Sequence, residues 1–409
     1  MKKLISILTA TRAEYGLLKP LIIKLESEQE FDVRIVVTGT HLSKEHGMTY
    51  QEIEADGFRI DEKIEILTGS NRPAGISQTM GSAIIKFSDY FERLKPELLI
   101  VLGDRYETLA VCIAAMNAGI PIAHLYGGET TEGAIDESIR HAITKMSYLH
   151  FTSTSEYRKR VIQLGEDPSR VFEVGAIGIE NIKNTKLLSK AELMKSLDIN
   201  LDSPYALVTF HPVTLEGEAV EQQFQALLKA CDKNHNLHYI FTKANADANG
   251  NVINKMIDEH VEQSDNAVAF ASLGMLRYLS ALKYTEMVIG NSSSGLIEAP
   301  SFGIPTINIG NRQRGRLQSD SVIQCEADEK EISEAIVLAG RKEFIEKAKN
   351  TQNPYGDGNT SNKIVKVLKD YLLNNQIHLM KQFYNIDFEV NEIQRFSEVQ
   401  NVLLNQSTI

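Results

Sequence analysis

The sequence predicts an α/β protein built from two Rossmann-like, doubly wound halves that face a cleft, with a short C-terminal tail. Short apolar runs alternate with amphipathic stretches, and the same alternation restarts near Tyr205. The apolar runs are continuous rather than alternating in hydrophobicity, which is typical of strands buried on both faces of a parallel sheet. Regular alternation of strands and helices implies right-handed crossovers within each half.

The first half contains four predicted strands and four predicted helices. The strands are LISIL (4–8), VRIVVTG (33–39), LLIVLGD (98–104) and IPIAHL (120–125). The helices span residues 17–28, 78–94, 106–118 and 135–147. A stretch of mixed character, 174–190, is predicted to link this half to the second.

The second half repeats the pattern and ends in a polar segment. Its predicted strands are YALVTFHP (205–212), LHYIFTKA (237–244), MVIGNSS (287–293) and PTINIG (305–310). A final helix is predicted over residues 362–373. We therefore predict one domain at residues 1–178, a second at 179–373 whose last helix packs back on the first, and a polar tail at 374–409.

Composition and charge narrow the class of partner. The 409 residues carry a formal net charge of −11 and no long basic block, which argues against a nucleic-acid partner. A small phosphate-bearing ligand needs only a few local Arg or Lys side chains. The three cysteines lie far apart and predict neither a disulfide framework nor a metal site. With only a short apolar run at the N-terminus, we expect no membrane partner and a cytoplasmic location.

A serine-rich segment after the third strand of the second half predicts a nucleotide site. Ligands of open α/β sheets bind beyond the carboxyl ends of the strands. Between Gly290 and Gly295, the side chains of Ser292, Ser293 and Ser294 offer hydroxyl groups at a probable helix start, which suits a diphosphate. Glu298 would accept hydrogen bonds from two ribose hydroxyls. The alternative is a serine-rich helix cap, and neither a Walker motif nor GxGxxG is present.

Further polar groups lie at other strand ends of the second half. His211 ends the first strand, and Asn245 follows the second. Three arginines in the segment 311–316, among them Arg312, suit phosphate oxygens, since a guanidinium matches their geometry. A structural histidine and a solvated or subunit-contacting loop are the alternatives.

Titratable groups in the first half predict acid–base chemistry. Asp104 and Arg105 end a buried strand, and the segment 124–141 is the densest in titratable side chains. Proton abstraction beside a sugar ring carbon needs such groups, each worth roughly 10²–10⁴ in rate. Two alternatives stay open: Asp104 caps the next helix, or Asp136 and Arg140 form an i,i+4 ion pair on a helix surface.

Taken together, the motifs resemble one family along most of the chain. They are TATRAEYG (9–16), VTGTHLSKEHGMT (37–49), LGDRYE (102–107), GGETTEGAIDESIRHAITKMSYLHF (127–151), VIQLGEDPSRVFEVG (161–175), FHPVT (210–214) and IGNSSSGLIEAPSFGIPTINIGNRQRGR (289–316). In this order they resemble the hydrolysing UDP-N-acetylglucosamine 2-epimerases of bacterial sialic-acid and related nonulosonate pathways. The resemblance implies a glycosyltransferase B-like fold and a UDP-amino-sugar substrate, with no metal or redox cofactor.

The resemblance also implies a reaction and a set of residues. UDP is eliminated to give a 2-acetamidoglucal, and water adds to give free N-acetylmannosamine. Acid–base carboxylates match Asp104 and Asp136, with Arg140 one turn beyond. The matches to nucleotide-sugar contacts are Arg12, His211, Ser292, Ser293, Glu298 and Arg312. Many relatives have Glu where this chain has Tyr126, so Glu129 or Glu132 would supply that carboxylate, or the base is Asp104 or Asp136.

Four other functions remain open from the sequence. A non-hydrolysing 2-epimerase is disfavoured because TyrGlyGly and SerSerSerGlyLeuIleGlu replace that class's usual signatures. The same hydrolytic reaction on UDP-N,N′-diacetylbacillosamine is an alternative. A glycosyltransferase would have no reason for the carboxylates of 127–141, and a UDP-sugar sensor would not need Asp104 or Asp136. We expect a homodimer or homotetramer.

Overall fold

The computed structural model describes residues 2–69, 72–131, 135–212, 219–244 and 250–387. Seven parallel strands form the first sheet, in the order β3-β2-β1-β4-β5-β6-β7. They are β1 (Lys3–Thr9), β2 (Phe31–Thr38), β3 (Ile60–Ile64), β4 (Leu98–Leu102), β5 (Ile122–Leu125), β6 (Leu149–Thr152) and β7 (Val171–Glu173).

Six further parallel strands form the second sheet, in the order β10-β9-β8-β11-β12-β13. They are β8 (Tyr205–Thr209), β9 (His238–Thr242), β10 (Ala267–Phe270), β11 (Met287–Gly290), β12 (Thr306–Ile309) and β13 (Val322–Cys325). In both sheets the strand order reverses beside the first strand, which is where ligands of doubly wound sheets bind.

Helices connect the strands of both sheets. Those before β8 are α1 (Arg12–Glu26), α2 (Tyr50–Ala55), α3 (Pro73–Leu94), α4 (Tyr106–Asn117), α5 (Ile135–Met146), α6 (Ser155–Gln163), α7 (Ile177–Asn184) and α8 (Lys190–Leu197). Those after β8 are α9 (Ala219–Lys233), α10 (Gly250–Gln263), α11 (Gly274–Tyr284), α12 (Ser294–Ile297), α13 (Glu329–Ala339), α14 (Lys342–Lys349) and α15 (Thr360–Leu373).

Each sheet is buried on both faces, as continuous apolar strands require. Ile5, Ile7 and Ile100 pack in one core cluster of the first sheet, and Leu8 and Val101 pack in the cluster on its other side. The second sheet likewise has two clusters. The predicted fold class of two Rossmann-like halves is therefore confirmed.

The segment predicted as a linker is in fact a packed part of the structure. Residues 174–190 contain α7, in which Ile177 and Ile179 are buried. The side chain of Asn181 donates to the carbonyl of Gly16 in α1 at 2.8 Å. The mixed composition of the segment reflects two environments, because one side packs on α1 and the other faces a cavity.

The end of the described chain returns to the first sheet. Ile364 and Leu368 of α15 lie in the same core cluster as Leu18 and Leu21 of α1. Beyond α15, the ammonium of Lys381 reaches the carbonyl of Ser147 at 2.7 Å and the carboxylate of Glu166 at 2.9 Å. Within the described residues, no helix is long and apolar enough to cross a membrane.

Candidate active site

A cavity of about 680 Å³ lies between the start of α1 and the strand ends of the second sheet. Six of the predicted ligand-binding residues line it, and they come from both halves of the chain. They are Arg12, His211, Ser292, Ser293, Ser294 and Glu298. Gly178, at the start of α7, closes the cavity between the two halves. The fold thus brings together residues that lie far apart in the sequence.

The serine segment turns sharply away from β11 at Gly290. The backbone there has φ of +135°, and a Cβ atom would lie 1.9 Å from the carbonyl oxygen of Thr209 in β8. Only glycine permits this approach. The segment continues into α12, which has only four residues, so its dipole is small. Hydroxyl and amide groups are therefore the main donors it offers to an anion.

Glu298 directly follows α12, and its carboxylate faces the cavity. Burial raises the pKa of Glu298, against the hydrogen bond from Ser294. Its Oε2 atom is buried and accepts no hydrogen bond from any residue that the structure describes. Ser294 also accepts a hydrogen bond of 2.7 Å from the hydroxyl of Tyr278, which fixes this side of the cavity. A buried acceptor without a donor suits a ligand that brings hydroxyl groups.

Asn291 ties two of the predicted residues, His211 and Arg312, to the serine segment. Its carboxamide accepts from the backbone N–H of His211 at 2.7 Å and donates to the His211 carbonyl at 2.8 Å. Its own carbonyl accepts from Arg312 at 3.1 Å and from Gln313 at 2.8 Å. His211, the serines and Arg312 are therefore one connected unit.

The other two predicted arginines differ in their surroundings. The side chain of Arg12 lines the cavity, is 52% exposed, and lies 3.8 Å from Glu52. Arg105 pairs instead with Glu107 at 3.1 Å, and Glu107 is fully buried. This charge pair also acts on Glu14, a buried carboxyl in the first turn of α1. Burial raises the pKa of Glu14 to about 7. Arg105, whose side chain is 42% exposed, therefore pairs with a buried carboxylate and does not line this cavity.

The acid–base residues are centred on Arg140, whose side chain is 1% exposed. Its guanidinium pairs with Asp104 and with Glu137, the latter at 2.6 Å. It also donates to the hydroxyl of Thr131 at 2.6 Å and to the carbonyl of Glu129 at 2.8 Å. Among the described residues, the ion-pair partners of Arg140 are thus Asp104 and Glu137, and the surface pair with Asp136 is not formed.

Asp104 and Asp136 lie close enough to repel one another. Burial, and then the charge of Asp104, raise the pKa of Asp136, and the attraction of Arg140 does not offset them. The N-cap residue of α4 is Arg105, not Asp104, and no side-chain hydrogen bond caps this end of the helix. The helix-cap interpretation of Asp104 is therefore wrong, because its carboxylate is used by Arg140.

Glu129 lies in the loop after β5 and is 6% exposed. Its carboxylate accepts from the hydroxyl of Ser153 at 2.9 Å. It also lies 3.4 Å from the guanidinium of Arg316, which comes from the second half of the chain. Glu132 and Asn245, two further predicted site residues, lie outside the described residues.

Tyr126, where the motif resemblance implied a carboxylate, contacts Gly178 of the cavity wall. Its backbone has φ of +69°, which is strained for a bulky residue. Its hydroxyl lies 3.4 Å from the backbone N–H of Gly178, which donates to it. Burial, followed by the charge of Glu129, raises the pKa of Tyr126, so the phenol is neutral. It acts as a hydrogen-bonding group and not as a base.

Several residues of the site were missed by sequence reasoning. Glu14, Glu137 and Ser153 each contact or flank a predicted residue. Glu137 had a signal, since it lies in the densest titratable segment. Glu14 was hidden because Thr11 and Glu14 also form an ordinary helix capping box. Within the described ranges, no group of three or more His, Cys, Asp or Glu is arranged to hold a metal ion.

Two facing parallel sheets with a polar cleft define a glycosyltransferase B-like α/β protein. A solved structure of UDP-GlcNAc 2-epimerase from Neisseria meningitidis, bound to UDP-GlcNAc, has the same fold. It superposes with a TM-score of 0.76 at 21% identity, covering 90% of this chain and all of that one. The family model described as UDP-N-acetylglucosamine 2-epimerase matches residues 23–369. The chain belongs to this family.

Two relatives of known description match nearly the whole chain. A Campylobacter jejuni protein described as a hydrolysing GDP/UDP-N,N′-diacetylbacillosamine 2-epimerase is 44% identical over 379 residues, 92% of this chain and 98% of the relative. An Escherichia coli protein described as polysialic acid biosynthesis protein P7 is 38% identical over 390 residues, 94% of this chain and 98% of the relative. The resemblance that the motifs predicted is confirmed at the level of the family.

Proposed function

We propose that this protein is a hydrolysing 2-epimerase, which converts a UDP-linked 2-acetamido sugar and water into UDP and the free sugar inverted at C2. The observation that carries the proposal is a polar cavity containing the unsatisfied carboxylate of Glu298, together with a cluster of acids around the buried Arg140. The pKa of Asp136 in that cluster is raised by burial and by Asp104. The first group suits a nucleotide, and the second suits proton transfer at a sugar carbon.

The nucleotide would be held by the cavity wall. Glu298 accepts from the ribose hydroxyls, while the hydroxyl and amide groups of Ser292 and Ser293 donate to the diphosphate. Arg12 supplies positive charge from the start of α1, and Arg312 supplies it from the loop bonded to Asn291. This leaves the C1 atom of the sugar pointing towards the loop after β5.

The reaction would proceed in two balanced steps. First, a carboxylate removes the proton from C2 while the C1–O bond to UDP breaks, and its electron pair leaves on the diphosphate. This gives a 2-acetamidoglucal. Then a hydroxyl from water adds to C1 and a proton adds to the opposite face of C2. Two carboxyl groups of different proton affinity are needed, one on each face.

Asp136 and Glu129 are the residues that we assign to these proton transfers. The pKa of Asp136 is raised, which makes its carboxylate a better proton acceptor than an ordinary aspartate. Glu129 takes the place of the acid that relatives often carry at the position of Tyr126. Asp104 orients Arg140 and raises the proton affinity of Asp136. Hydrogen bonds from Arg140 to the loop 129–131 then hold both acids around the sugar.

Two sugars are candidate substrates. UDP-N-acetylglucosamine, which gives N-acetylmannosamine for sialic-acid biosynthesis, is the substrate implied by the motif resemblance. The description of the Escherichia coli relative agrees with it. UDP-N,N′-diacetylbacillosamine is the second candidate, because the Campylobacter jejuni relative at 44% identity is described by that substrate.

The experiment is incubation with each UDP-sugar in D₂O, with products followed by NMR and chromatography. We expect UDP and a free sugar that carries deuterium at C2, faster from one of the two substrates. The Asp136→Asn variant serves as the matched inactive control. A UDP-sugar inverted at C2 as the sole product would instead assign the protein to the non-hydrolysing class. No turnover of either sugar would contradict the proposal altogether.

A further inference from the structure

Arg316 connects the nucleotide-binding half of the chain to the acid–base loop of the other half. Its side chain is 14% exposed and its guanidinium lies 3.4 Å from the carboxylate of Glu129. Its charge also acts on Asp104 and on Glu298. One buried cation thus lies among three carboxylates that belong to the two different parts of the site.

The loop that carries Arg316 is anchored at both ends. On one side, Arg312 and Gln313 donate to the carbonyl of Asn291, which directly precedes the serine segment. On the other side, the backbone N–H of Leu317 donates to the hydroxyl of Tyr157 at 3.4 Å, and its carbonyl accepts from Tyr355 at 3.1 Å. Arg316 is therefore held at a fixed position relative to the phosphate-facing serines.

Glu129 is fixed from three directions, and only one of them crosses the cleft. Ser153 and Arg140 hold its carboxylate and its carbonyl from within the first half. Arg316 supplies the third contact. A group that transfers a proton must sit within hydrogen-bond reach of the reacting atom, and a displacement of 1 Å can reduce the rate roughly 10²-fold.

We propose that Arg316 is a positioning residue. It holds Glu129 in position for proton transfer and links the position of Glu129 to that of the loop that faces the nucleotide. This inference rests on the proposed function. Arg316 need not contact the substrate, because its guanidinium is directed at Glu129. Movement of the segment 311–316 towards a bound diphosphate would be transmitted to Glu129 through this contact. Catalysis would then depend on correct seating of UDP.

The test compares Arg316→Ala and Arg316→Lys with wild type in steady-state kinetics, and measures UDP binding by calorimetry. Arg316→Ala should lower kcat roughly 10²-fold while UDP affinity stays close to wild type. Arg316→Lys should recover part of kcat, since a charge returns without the fork geometry of the guanidinium. Arg341→Ala is the control, because Arg341 is an exposed arginine of the second half that lies outside the site.

A double-mutant cycle with Glu129→Gln gives the decisive outcome. If Arg316 acts through Glu129, the Arg316→Ala change should have little further effect on kcat in the Glu129→Gln background. Additive losses would overturn the proposal, as would a loss of UDP affinity that matches the loss of kcat. Unchanged kcat in Arg316→Ala, with active wild type, would overturn it while leaving the proposed function intact. Inactive wild-type protein would instead contradict the proposed function.

Discussion

Glu166 and Asp136 are carboxylates in the same half of the chain, and their neighbours shift their pKa values in opposite directions. Glu166 is fully buried and contacts Lys145 at 2.5 Å, Lys381 at 2.9 Å and His150 at 3.1 Å. Burial alone would raise the pKa of Glu166, but these partners outweigh it and lower the pKa to about 2. Asp136 is less buried, yet burial and the nearby Asp104 raise its pKa.

The difference separates a structural carboxylate from one suited to proton transfer. Glu166 gains its contacts from α5, β6 and the C-terminal segment, so its charge joins three parts of the fold. Such a group cannot release its charge without breaking those contacts. Asp136 faces a like charge, so adding a proton to it relieves repulsion. A group of that kind can exchange protons with a substrate at low cost.

The largest effect is expected when the acids of the cleft are neutralised. Asp136→Asn should lower kcat by at least ~10², because the variant cannot exchange a proton. UDP affinity and thermal stability should hardly change, since the variant removes an electrostatic repulsion. Asp104→Asn should lower kcat similarly and also reduce stability, because Arg140 is left buried with one partner fewer.

Both cleft variants are checked by the rate of UDP release, by calorimetric titration with UDP, and by thermal unfolding. If both variants turned over substrate at nearly the wild-type rate, neither Asp136 nor Asp104 would take part in the reaction, and Asp104 would have only a structural role.

Neutralising Glu166 should have the reverse effect, a loss of stability with no change in kcat. Glu166→Gln leaves Lys145, Lys381 and His150 without their shared anion, so we expect a loss of roughly 3 kcal/mol in the free energy of unfolding at pH 7. The kcat of the folded fraction should remain that of wild type. Urea unfolding and steady-state kinetics on the same preparation check both statements.

The pH dependence of this loss follows from the lowered pKa of Glu166. The pKa of about 2 in the folded protein lies below the ordinary glutamate value of 4.5, so the stabilisation is complete above pH 4.5 and is lost as the pH falls towards 2. The difference in the free energy of unfolding between wild type and Glu166→Gln should therefore narrow by roughly 2 kcal/mol between pH 5 and pH 3. Glu156→Gln is the control, because Glu156 forms an exposed pair with Lys159 that contributes little. An equal gap at both pH values would contradict this account.

The sequence was sufficient for the central strands of both sheets and less so for the outer ones. β1, β4, β8 and β11 are apolar on both faces, so their pattern is unmistakable. β3 reads IDEKI, because it lies at the edge of the first sheet and only its last residue is buried. Such charged edge strands do not match the pattern of a buried strand. β7, β10 and β13 are likewise edge strands, and each has only one buried residue.

For the site, the sequence could place residues at strand ends but could not assign partners. Arg140 is four residues from Asp136, which made a local ion pair the obvious alternative. In the fold, β4 pairs with β5, and that adjacency brings Asp104 to Arg140 instead. The contact of Arg316 with Glu129 depends on how the two sheets face each other. No local spacing rule carries that information.

Glu298 extends the comparison to the second half of the chain, because burial raises its pKa as it raises that of Asp136. Its Oε2 atom is buried, and none of the described residues donates to it. If ribose hydroxyls are its partners, Glu298→Ala should weaken UDP binding by about 1.5–3 kcal/mol, the range for hydrogen bonds to a charged group. Uridine should lose a similar amount, since it carries the same ribose.

Two variants at the phosphate side show whether the loss at Glu298 is specific. Ser293→Ala should weaken UDP by less than Glu298→Ala, because the backbone donors of the segment remain. Arg312→Ala should weaken UDP more than uridine, since only UDP carries phosphates for the guanidinium to meet. Calorimetric titration of the three variants with both ligands gives the comparison. If Glu298→Ala bound UDP as tightly as wild type, the nucleotide would lie elsewhere, and Glu298 would have only a structural role.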